Sequence, residues 1–314
     1  MVGFTQRSEL IVVSLEVAQE SIVRRGNIAK NLISSERPEL LDIFLTYQNE
    51  AMAARKFLDT SLIELNAGAE ILEIGGGILA LAIQLASEGF KVTTVEPVGE
   101  GFTNIAYIMK IFAEIAKNEN LKFNLVESPI EDCRFNHKFD FIFSINVMEH
   151  LKDPNLVLIK LVDFLASEGK YRFFCPNYDF PYEPHYSKWI FRRMNNAYFL
   201  SESRAATSKL DHQSNPGLYR SLNFLTVKKL RGTFKDLIGA EIRFNQIAFY
   251  DLVCRALNDS VLAHRHKKSV ILVRAIDLVG LLPLLKKFPY KYAPIIDAEI
   301  SLNVIPDQIL IRNR

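Results

Sequence analysis

Two acidic residues on either side of three glycines are the residues best suited to bind a ligand in this sequence. Glu73 stands two residues before Gly75-Gly76-Gly77, and Glu96 ends the next apolar segment. Glycines at a turn let a ligand lie against bare backbone N–H groups. A carboxylate at the position of Glu96 can accept hydrogen bonds from both hydroxyls of a ribose. These residues predict a cofactor that contains adenosine.

The glycine pattern by itself fits two kinds of cofactor. Gly75 to Ala80 also satisfies the dinucleotide pattern G-x-G-x-x-G/A, so a nicotinamide or flavin enzyme is an alternative. A pyrophosphate at this turn would gain nothing from the negative charge of Glu73. A sulfonium cofactor that carries an amino acid would gain from it, because its ammonium group needs an anionic partner. Glu73 therefore favours the sulfonium cofactor.

Alternating strands and helices position these residues. The pattern predicts strands over 69–74, 91–95, 121–126, 139–144 and 169–175, with helices over about 78–88, 101–118 and 153–167. This alternation requires right-handed crossovers and a parallel sheet that is covered on both faces. We therefore expect an α/β fold, Rossmann-like and doubly wound, with a mostly parallel seven-stranded sheet, a helical N-terminal cap and C-terminal helical additions.

The pattern divides the chain into three parts. Residues 1–66 are predicted to be a helical cap, with Ser8 capping the first helix and Pro38 near the start of the second. Residues 67–250 are the predicted cofactor-binding domain, with a lid insertion at about 178–224. Residues 251–314 are a predicted helical extension that ends in a last antiparallel sheet strand at 308–312.

Composition excludes several classes of protein. The chain has 314 residues, of which 49% are hydrophobic, and its net charge of +2 is too small to predict a nucleic-acid partner. Three separated cysteines predict a reducing compartment, and without a leader pattern at the N-terminus we expect a cytoplasmic protein. No apolar stretch is long enough for a transmembrane helix. No His/Cys/Asp cluster has the spacing of metal ligands, so no metal is predicted.

The combined motifs are similar to those of a known family, the class I S-adenosylmethionine-dependent methyltransferases. The stretches that carry the resemblance are Glu73 to Gly77, Glu96, Phe139-Asp140, Asn146, Glu149-His150 and Asp153-Pro154. The subgroup that methylates small molecules, such as quinones and sugars, is the most similar. The resemblance covers about residues 66 to 175 and implies S-adenosylmethionine as cofactor. One departure is Leu79, where this family often has a third glycine.

The resemblance and the sheet topology together assign cofactor roles. Glu73, Gly75 and Gly77 are implied to surround the methionine end of the cofactor, Glu96 to hold the ribose, and Asn146 to line the site. The loop after the third strand is expected near the adenine. The full set of predicted cofactor residues is Glu73, Gly75, Gly76, Gly77, Glu96, Pro97, Ser128, Ile130 and Asn146.

Substrate and catalytic residues are predicted from loops at the carboxyl ends of strands, where sheets of this kind place their ligands. Predicted substrate contacts are Asn177, Tyr178 and Tyr182, together with Tyr47 and Gln48 from the N-terminal helices. Candidate bases are His150, His185 and Glu183, because methylation of a hydroxyl benefits from a base.

The predicted reaction is methyl transfer to oxygen or nitrogen of a small-molecule acceptor. The alternatives are an NAD(P)-dependent oxidoreductase and a non-catalytic scaffold that binds S-adenosylmethionine. Three interpretations are open for the apolar tail around 270–287: packing into the core, a homodimer contact, or peripheral contact with a membrane surface.

Overall fold

A computed structural model describes residues 13–97, 103–184, 188–189, 222–258, 263, 267–302 and 310–311. Its contacts divide the chain into two compact units, Met1–Phe141 and Ile142–Arg314. The division falls inside a strand, whereas the sequence pattern predicts boundaries after residues 66 and 250. Those domain boundaries stay a prediction.

Two long helices open the first unit. Helix α1 spans Leu15–Glu36, and the Ser14 side chain caps it by accepting a hydrogen bond from the Val17 backbone N–H at 3.3 Å. A 3₁₀ turn at Pro38–Leu40 leads into helix α2, Leu41–Leu62. The predicted cap Ser8 lies outside the described residues.

The glycine turn stands in the parallel part of this unit. The elements are β1 (Glu70–Ile74), α3 (Ala80–Ser87), β2 (Lys91–Val95), α4 (Thr103–Asn118) and β3 (Asn124–Val126). Strand β2 pairs in parallel with β1 and with β3. Strand β4 (Phe139–Ile145) follows, and its Phe139, Phe141 and Phe143 are buried, as expected for a strand covered on both faces.

A largely buried set of ion pairs and hydrogen bonds connects α1 and α2 to α3. Arg55 of α2 is 1% exposed and makes a two-pronged contact with Glu88, with N–O distances of 2.9 and 2.8 Å. Gln84 of α3 donates to the same Glu88 carboxylate at 2.9 Å and accepts from Arg25 of α1 at 2.7 Å. Arg25 also contacts Glu119, just beyond α4, at 2.8 Å. We call these residues the polar network; it makes the N-terminal helices part of the first unit.

The second unit combines helices with antiparallel strands. Its helices are α5 (Pro154–Phe164), α6 (Val227–Asp236), α7 (Ala248–Asn258) and α8 (Lys267–Leu278), with 3₁₀ helices at Met148–His150, Leu282–Lys287 and Tyr290–Tyr292. Its strands after β4 are β5 (Leu165–Pro176), β6 (Tyr182–Glu183), β7 (Lys188–Trp189), β8 (Leu237–Ile238), β9 (Ala240–Phe244), β10 (Ile295–Leu302) and β11 (Leu310–Ile311).

The predicted seven-stranded α/β sheet is confirmed, with strand order β3-β2-β1-β4-β5-β10-β9. Strand β10 pairs antiparallel with both β5 and β9. Two details of the sequence prediction were wrong. The tail over 250–300 was expected to be helical, yet 295–302 forms β10. The segment 308–312 was expected in the main sheet, yet β11 pairs with β8 in a separate two-stranded sheet.

Neither a membrane span nor a metal cluster is found among the described residues. Each described helix is too short or too polar to cross a bilayer. Among these same residues, three or more His, Cys, Asp or Glu side chains never gather in the way a metal ion needs. Cys133, Cys175 and Cys254 are all free thiols.

Candidate active site

The glycine turn between β1 and α3 needs glycine for two different reasons. Gly75 and Gly77 have φ values of 82° and 52°, in the left-handed region that favours glycine. Gly76 has an ordinary φ, but a Cβ there would overlap the Thr94 hydroxyl. The Gly75 backbone N–H donates to the Val95 carbonyl at 2.8 Å, which fixes the turn against the end of β2.

Leu79 has a left-handed backbone conformation, which glycine adopts more readily than leucine. Its φ is 67°, it stands immediately before the first residue of α3, and its side chain is fully buried. A left-handed backbone costs a residue with a Cβ about 1–2 kcal/mol, and burial of a leucine side chain contributes a similar amount in the opposite direction. The departure from the family pattern therefore leaves the turn intact.

Glu73 is a buried carboxylate that the neighbouring strand supports. Parallel pairing places Glu73 opposite Thr94, whose hydroxyl donates to the carboxylate at 2.9 Å. Glu73 is 4% exposed. Burial raises its pKa to about 8, the Thr94 hydrogen bond acts against this rise, and the charge of Glu96 adds to it. A cation brought next to Glu73 would remove most of this penalty.

Glu96 holds the glycine turn from the other side. Its carboxylate accepts a hydrogen bond from the Gly77 backbone N–H at 2.8 Å, and the residue is 7% exposed. Burial raises its pKa to about 7, although the Gly77 hydrogen bond opposes the rise. The end of β2 and the glycine turn are thus joined through one carboxylate that retains further acceptor positions.

The two predicted contacts from α2 lie in different surroundings. The Tyr47 ring lies on the glycine turn, since a Cβ at Gly77 would be 3.1 and 3.2 Å from Tyr47 Cδ1 and Cε1. Gln48 is 8% exposed, and its amide lies against Gly26 of α1, where a Cβ would overlap it. Tyr47 therefore lies beside the glycine turn and Gln48 packs between helices, and a substrate role for either residue stays a prediction.

The remaining cofactor candidates of this unit follow β2 and β3. Pro97 is half-buried directly after Glu96. Ser128 is half-buried, and its backbone N–H donates to the Val126 carbonyl at 3.0 Å. Ile130 is 3% exposed and offers apolar surface at the end of this loop. Their contact with an adenine stays a prediction.

In the second unit, Asn146 and His150 stand in one tightly held segment. Asn146 has a left-handed φ of 55°, and its N–H donates to the Phe174 carbonyl at 2.8 Å. Asn223 donates from its side chain to the carbonyls of Met148 at 2.7 Å and Leu151 at 2.9 Å. Sequence reasoning missed Asn223, because it comes more than 70 residues after the segment it holds.

A buried polar cluster contacts this segment. The Ser144 and Tyr171 hydroxyls are 2.8 Å apart, and Tyr171 also contacts the Met148 sulfur at 3.0 Å. Glu149 is fully buried, and its carboxylate is 3.8 Å from His150 Nε2. Burial raises the pKa of Tyr171. The His150 side chain is 16% exposed and has the Glu149 carboxylate as its neighbour.

Asn177, the first predicted substrate residue in the loop after β5, makes hydrogen bonds to the protein backbone. Asn177 is 1% exposed, and its amide donates to the carbonyls of Lys291 at 3.1 Å and Ala293 at 2.8 Å. Tyr178 is half-buried, with its ring edge-to-face on Phe224 at 5.1 Å. Tyr182 is half-buried in β6.

The last two candidate bases are described only in part or not at all. Glu183 belongs to β6, but its side chain lies outside what the structure describes. His185 and most of the predicted lid insertion also lie outside the described residues. Roles for these residues stay predictions from the sequence.

Cofactor binding is expected to depend on pH over the neutral range. In the free chain the pKa values of Glu73 and Glu96 are about 8 and about 7, so both carboxyls hold protons below pH 7. A ligand that needs the carboxylates must displace these protons, so its affinity should rise up to about tenfold per pH unit for each proton and level off above about pH 8. The same raised values mean that the stability of the free protein falls as pH rises through this range.

Calorimetric titration at pH 6, 7, 8 and 9 would measure this dependence. Buffers of different ionisation enthalpy would count the protons released on binding. The variant Glu73→Gln serves as a comparison, since it removes one of the two titrating groups and should flatten the profile. An affinity that is the same at pH 6 and pH 9 would contradict the prediction.

Gly76→Ala is expected to weaken cofactor binding by about tenfold or more. Its Cβ would displace the Thr94 hydroxyl and break the hydrogen bond to Glu73, and buried hydrogen bonds to charged groups contribute about 1.5–3 kcal/mol. The control is Gly232→Ala in α6, where nothing lies within 4 Å of the added Cβ. That change should leave affinity unaltered and stabilise the helix by about 0.5–1 kcal/mol. Equal affinity of the two variants would show that the Thr94–Glu73 pair does not serve binding.

Comparison with known proteins shows which family this chain is similar to. The profile of a methyltransferase domain family matches residues 45–236. An uncharacterized protein of Mycobacterium tuberculosis is 32% identical over 259 residues, which cover 80% of this chain and 87% of the relative. A ubiquinone biosynthesis O-methyltransferase of Rickettsia canadensis is 30% identical over 101 residues, which cover 32% of this chain and 39% of that protein.

Solved structures show more distant likenesses. A plantazolicin methyltransferase, solved with a triazolic desmethylPZN analog and S-adenosylhomocysteine, is 15% identical over 93% of this chain and 100% of its own length, with a TM-score of 0.47. A phosphoethanolamine N-methyltransferase of Haemonchus contortus is 15% identical over 75% of this chain, with a TM-score of 0.44. The chain spans about half of that second protein, 48% of its length.

Proposed function

This chain belongs to the methyltransferase domain family, whose members use S-adenosylmethionine, and on that premise we propose that it methylates a small-molecule acceptor at oxygen or nitrogen. The observation that carries the proposal is the pair of buried carboxylates around the glycine turn. Glu73 is held by Thr94, and Glu96 is held by the Gly77 N–H. Two anions at this turn suit a ligand with one cationic end and one ribose.

The same pair argues against a nicotinamide cofactor. A pyrophosphate carries negative charge to the glycine turn, where Glu73 is already a buried acid whose pKa is raised by desolvation. Bringing an anion to this place would raise the cost of ionising Glu73 further. An ammonium group lowers it, because the carboxylate then has a partner of opposite charge. The balance of charge thus supports S-adenosylmethionine over NAD or NADP.

Residues of the first unit are proposed to hold the cofactor. Glu73 binds the ammonium group, Glu96 accepts from the ribose hydroxyls, and Gly75 and Gly77 allow close approach of the backbone. Tyr47 is proposed to cover the turn, which is supported by its ring contact with Gly77. Pro97, Ser128 and Ile130 are proposed for the adenine end.

Residues of the second unit are proposed to serve the acceptor. Asn146 is proposed to line the site and His150 to take the proton that a hydroxyl acceptor loses. The neighbouring Glu149 carboxylate, 3.8 Å from His150 Nε2, supports this role. The segments around Tyr178 and Tyr182, together with the sequence up to about residue 224, are proposed as the acceptor wall and lid.

When bound, S-adenosylmethionine supplies a methyl group on a positively charged sulfur. The task of the protein is to hold the acceptor atom in line with the departing sulfur, within about 3–3.5 Å of the methyl carbon. Positive charge disappears from the sulfur in this reaction, so apolar walls favour it. The Tyr47 ring beside the glycine turn is proposed to supply such surface in the first unit.

Calorimetric titration of the full chain with S-adenosylmethionine, S-adenosylhomocysteine, NAD and NADP tests the cofactor. We expect micromolar binding of the first two and none of the others. Binding of NAD or NADP instead would overturn the proposal.

Transfer of an isotopically labelled methyl group tests the acceptor class. The chain would be incubated with labelled S-adenosylmethionine and, separately, with phenols, amines, transfer RNA and a protein extract. The proposal expects label in a small phenol or amine. Label in RNA or protein would refute the small-molecule acceptor, and cofactor binding without any transfer would favour a scaffold that binds S-adenosylmethionine. A homodimer and a cytoplasmic location stay proposals from the sequence.

A further inference from the structure

Helix α8 presents an apolar stripe to solvent. Ile271, Leu272 and Leu278 are 69%, 63% and 88% exposed, Ala275 between them is also exposed, and Val279 directly after the helix is 67% exposed. At 100° per residue these five positions fall within about 120° of the helix circumference. A stripe of this width normally faces a protein core, and here it lies on the outside.

The helix that carries the stripe, and the segment that follows it, pack against α7. Val270, on another side of α8, is 5% exposed, and α8 packs on α7. The 3₁₀ segment that follows is anchored to α7 as well, with the Phe249 and Phe288 rings 5.0 Å apart and Lys286 4.6 Å above the Tyr250 ring. The exposed apolar side chains are therefore presented by a fixed surface.

The neighbouring residues extend the stripe and give it charge. Leu281, Leu284 and Tyr292 are 49%, 60% and 52% exposed. Lys286, Lys287 and Lys291 are exposed beside them. Across residues 267–292 the sequence holds six Lys or Arg and one Asp, a formal charge of +5, whereas the whole chain has only +2. The charge of this segment thus exceeds the net charge of the whole chain, and the same segment carries seven exposed large apolar side chains.

We propose that this surface, residues 267–292, docks the protein on an anionic lipid bilayer. Apolar side chains enter the boundary between headgroups and acyl chains, and each lysine or arginine near an anionic leaflet adds attraction. A second copy of the chain is a poorer occupant. A twofold dimer places the same patch against itself, and here that would bring two positively charged segments together.

Vesicle co-flotation with the full chain tests this docking. Two preparations are compared, pure phosphatidylcholine and a mixture of seven parts phosphatidylcholine to three parts phosphatidylglycerol. We expect at least tenfold tighter binding to the anionic vesicles, and a loss of most of that difference in 0.5 M NaCl because salt screens exposed charges. Equal binding to the two preparations, or none to either, would overturn the proposal.

Two variants and a matched control separate the surface from the rest of the molecule. Leu278→Asp removes apolar contact, and Lys287→Glu combined with Lys291→Glu reverses charge; each should weaken binding at least tenfold. Leu156→Asp, at a 64% exposed leucine in α5, should leave binding unchanged. All of these positions are exposed, so circular dichroism and melting temperature should stay those of the parent. A lipid-free dimer that Leu278→Asp dissociates would identify a second copy as the occupant and refute the lipid proposal.

Discussion

Replacing Glu96 by alanine is expected to weaken S-adenosylmethionine binding by about a hundredfold. The carboxylate is proposed to accept hydrogen bonds from the ribose, and hydrogen bonds to charged groups contribute about 1.5–3 kcal/mol each. It also accepts the Gly77 N–H at 2.8 Å, so the variant loses part of the support of the glycine turn. Calorimetric titration at pH 8.5, where the carboxyl is ionised, measures the change.

Two further variants show whether the effect belongs to Glu96. Glu96→Gln keeps the size of the side chain and one acceptor atom but removes the charge, so its affinity should fall between those of the parent and the alanine variant. Glu114→Ala removes a carboxylate from an exposed position on α4, where the side chain is 68% exposed, and should not change affinity. If Glu96→Ala bound the cofactor within twofold of the parent, the ribose assignment would be wrong.

Replacing Arg55 by alanine is expected to lower the free energy of unfolding by about 3–5 kcal/mol. Removal of one partner from a buried ion pair leaves the other charge buried without compensation. Here Glu88 would keep only the Gln84 contact, and its side chain is 4% exposed. Unfolding in urea, followed by circular dichroism, measures the loss.

Arg24→Ala is the matched control for this change. Arg24 has an ion pair of 3.0 Å with Glu119, but its side chain is 58% exposed, and exposed pairs contribute about 0–1 kcal/mol. Adding Glu88→Gln to Arg55→Ala should restore part of the lost stability, because the orphaned charge is removed. Equal losses for Arg55→Ala and Arg24→Ala would mean that the polar network does not stabilise the first unit.

The sequence predicted the parallel half of the sheet well because its signals are local. Strand β2 was predicted with the observed limits 91–95, and the glycine turn with its flanking acids stands where the pattern placed it. Thr94 was also within reach of sequence reasoning. Once 69–74 and 91–95 are taken as adjacent parallel strands, their register brings Thr94 beside Glu73.

The antiparallel half could not be predicted in the same way. Strand β10 contains Asp297, which breaks the apolar pattern that an inner strand usually shows. The structure supplies its partners from β5 and from the residue just after β9: Arg172 at 3.3 Å and the Asn245 amide at 2.7 Å. The same limit applies to Arg55 and Glu88, which are 33 residues apart in sequence. Partners that meet only after folding leave no periodic signal in the chain.

The polar network also restricts where recombination with a related gene could give a stable protein. Arg25 and Arg55 belong to the N-terminal helices, whereas Gln84 belongs to α3, and Glu88 and Glu119 directly follow α3 and α4. A recombination point at the predicted boundary near residue 66 would pair these arginines with another protein's α3 and leave buried charges unmatched. A crossover placed after residue 119 would carry all the partners together. Residues 15–119 are therefore expected to be inherited as one block.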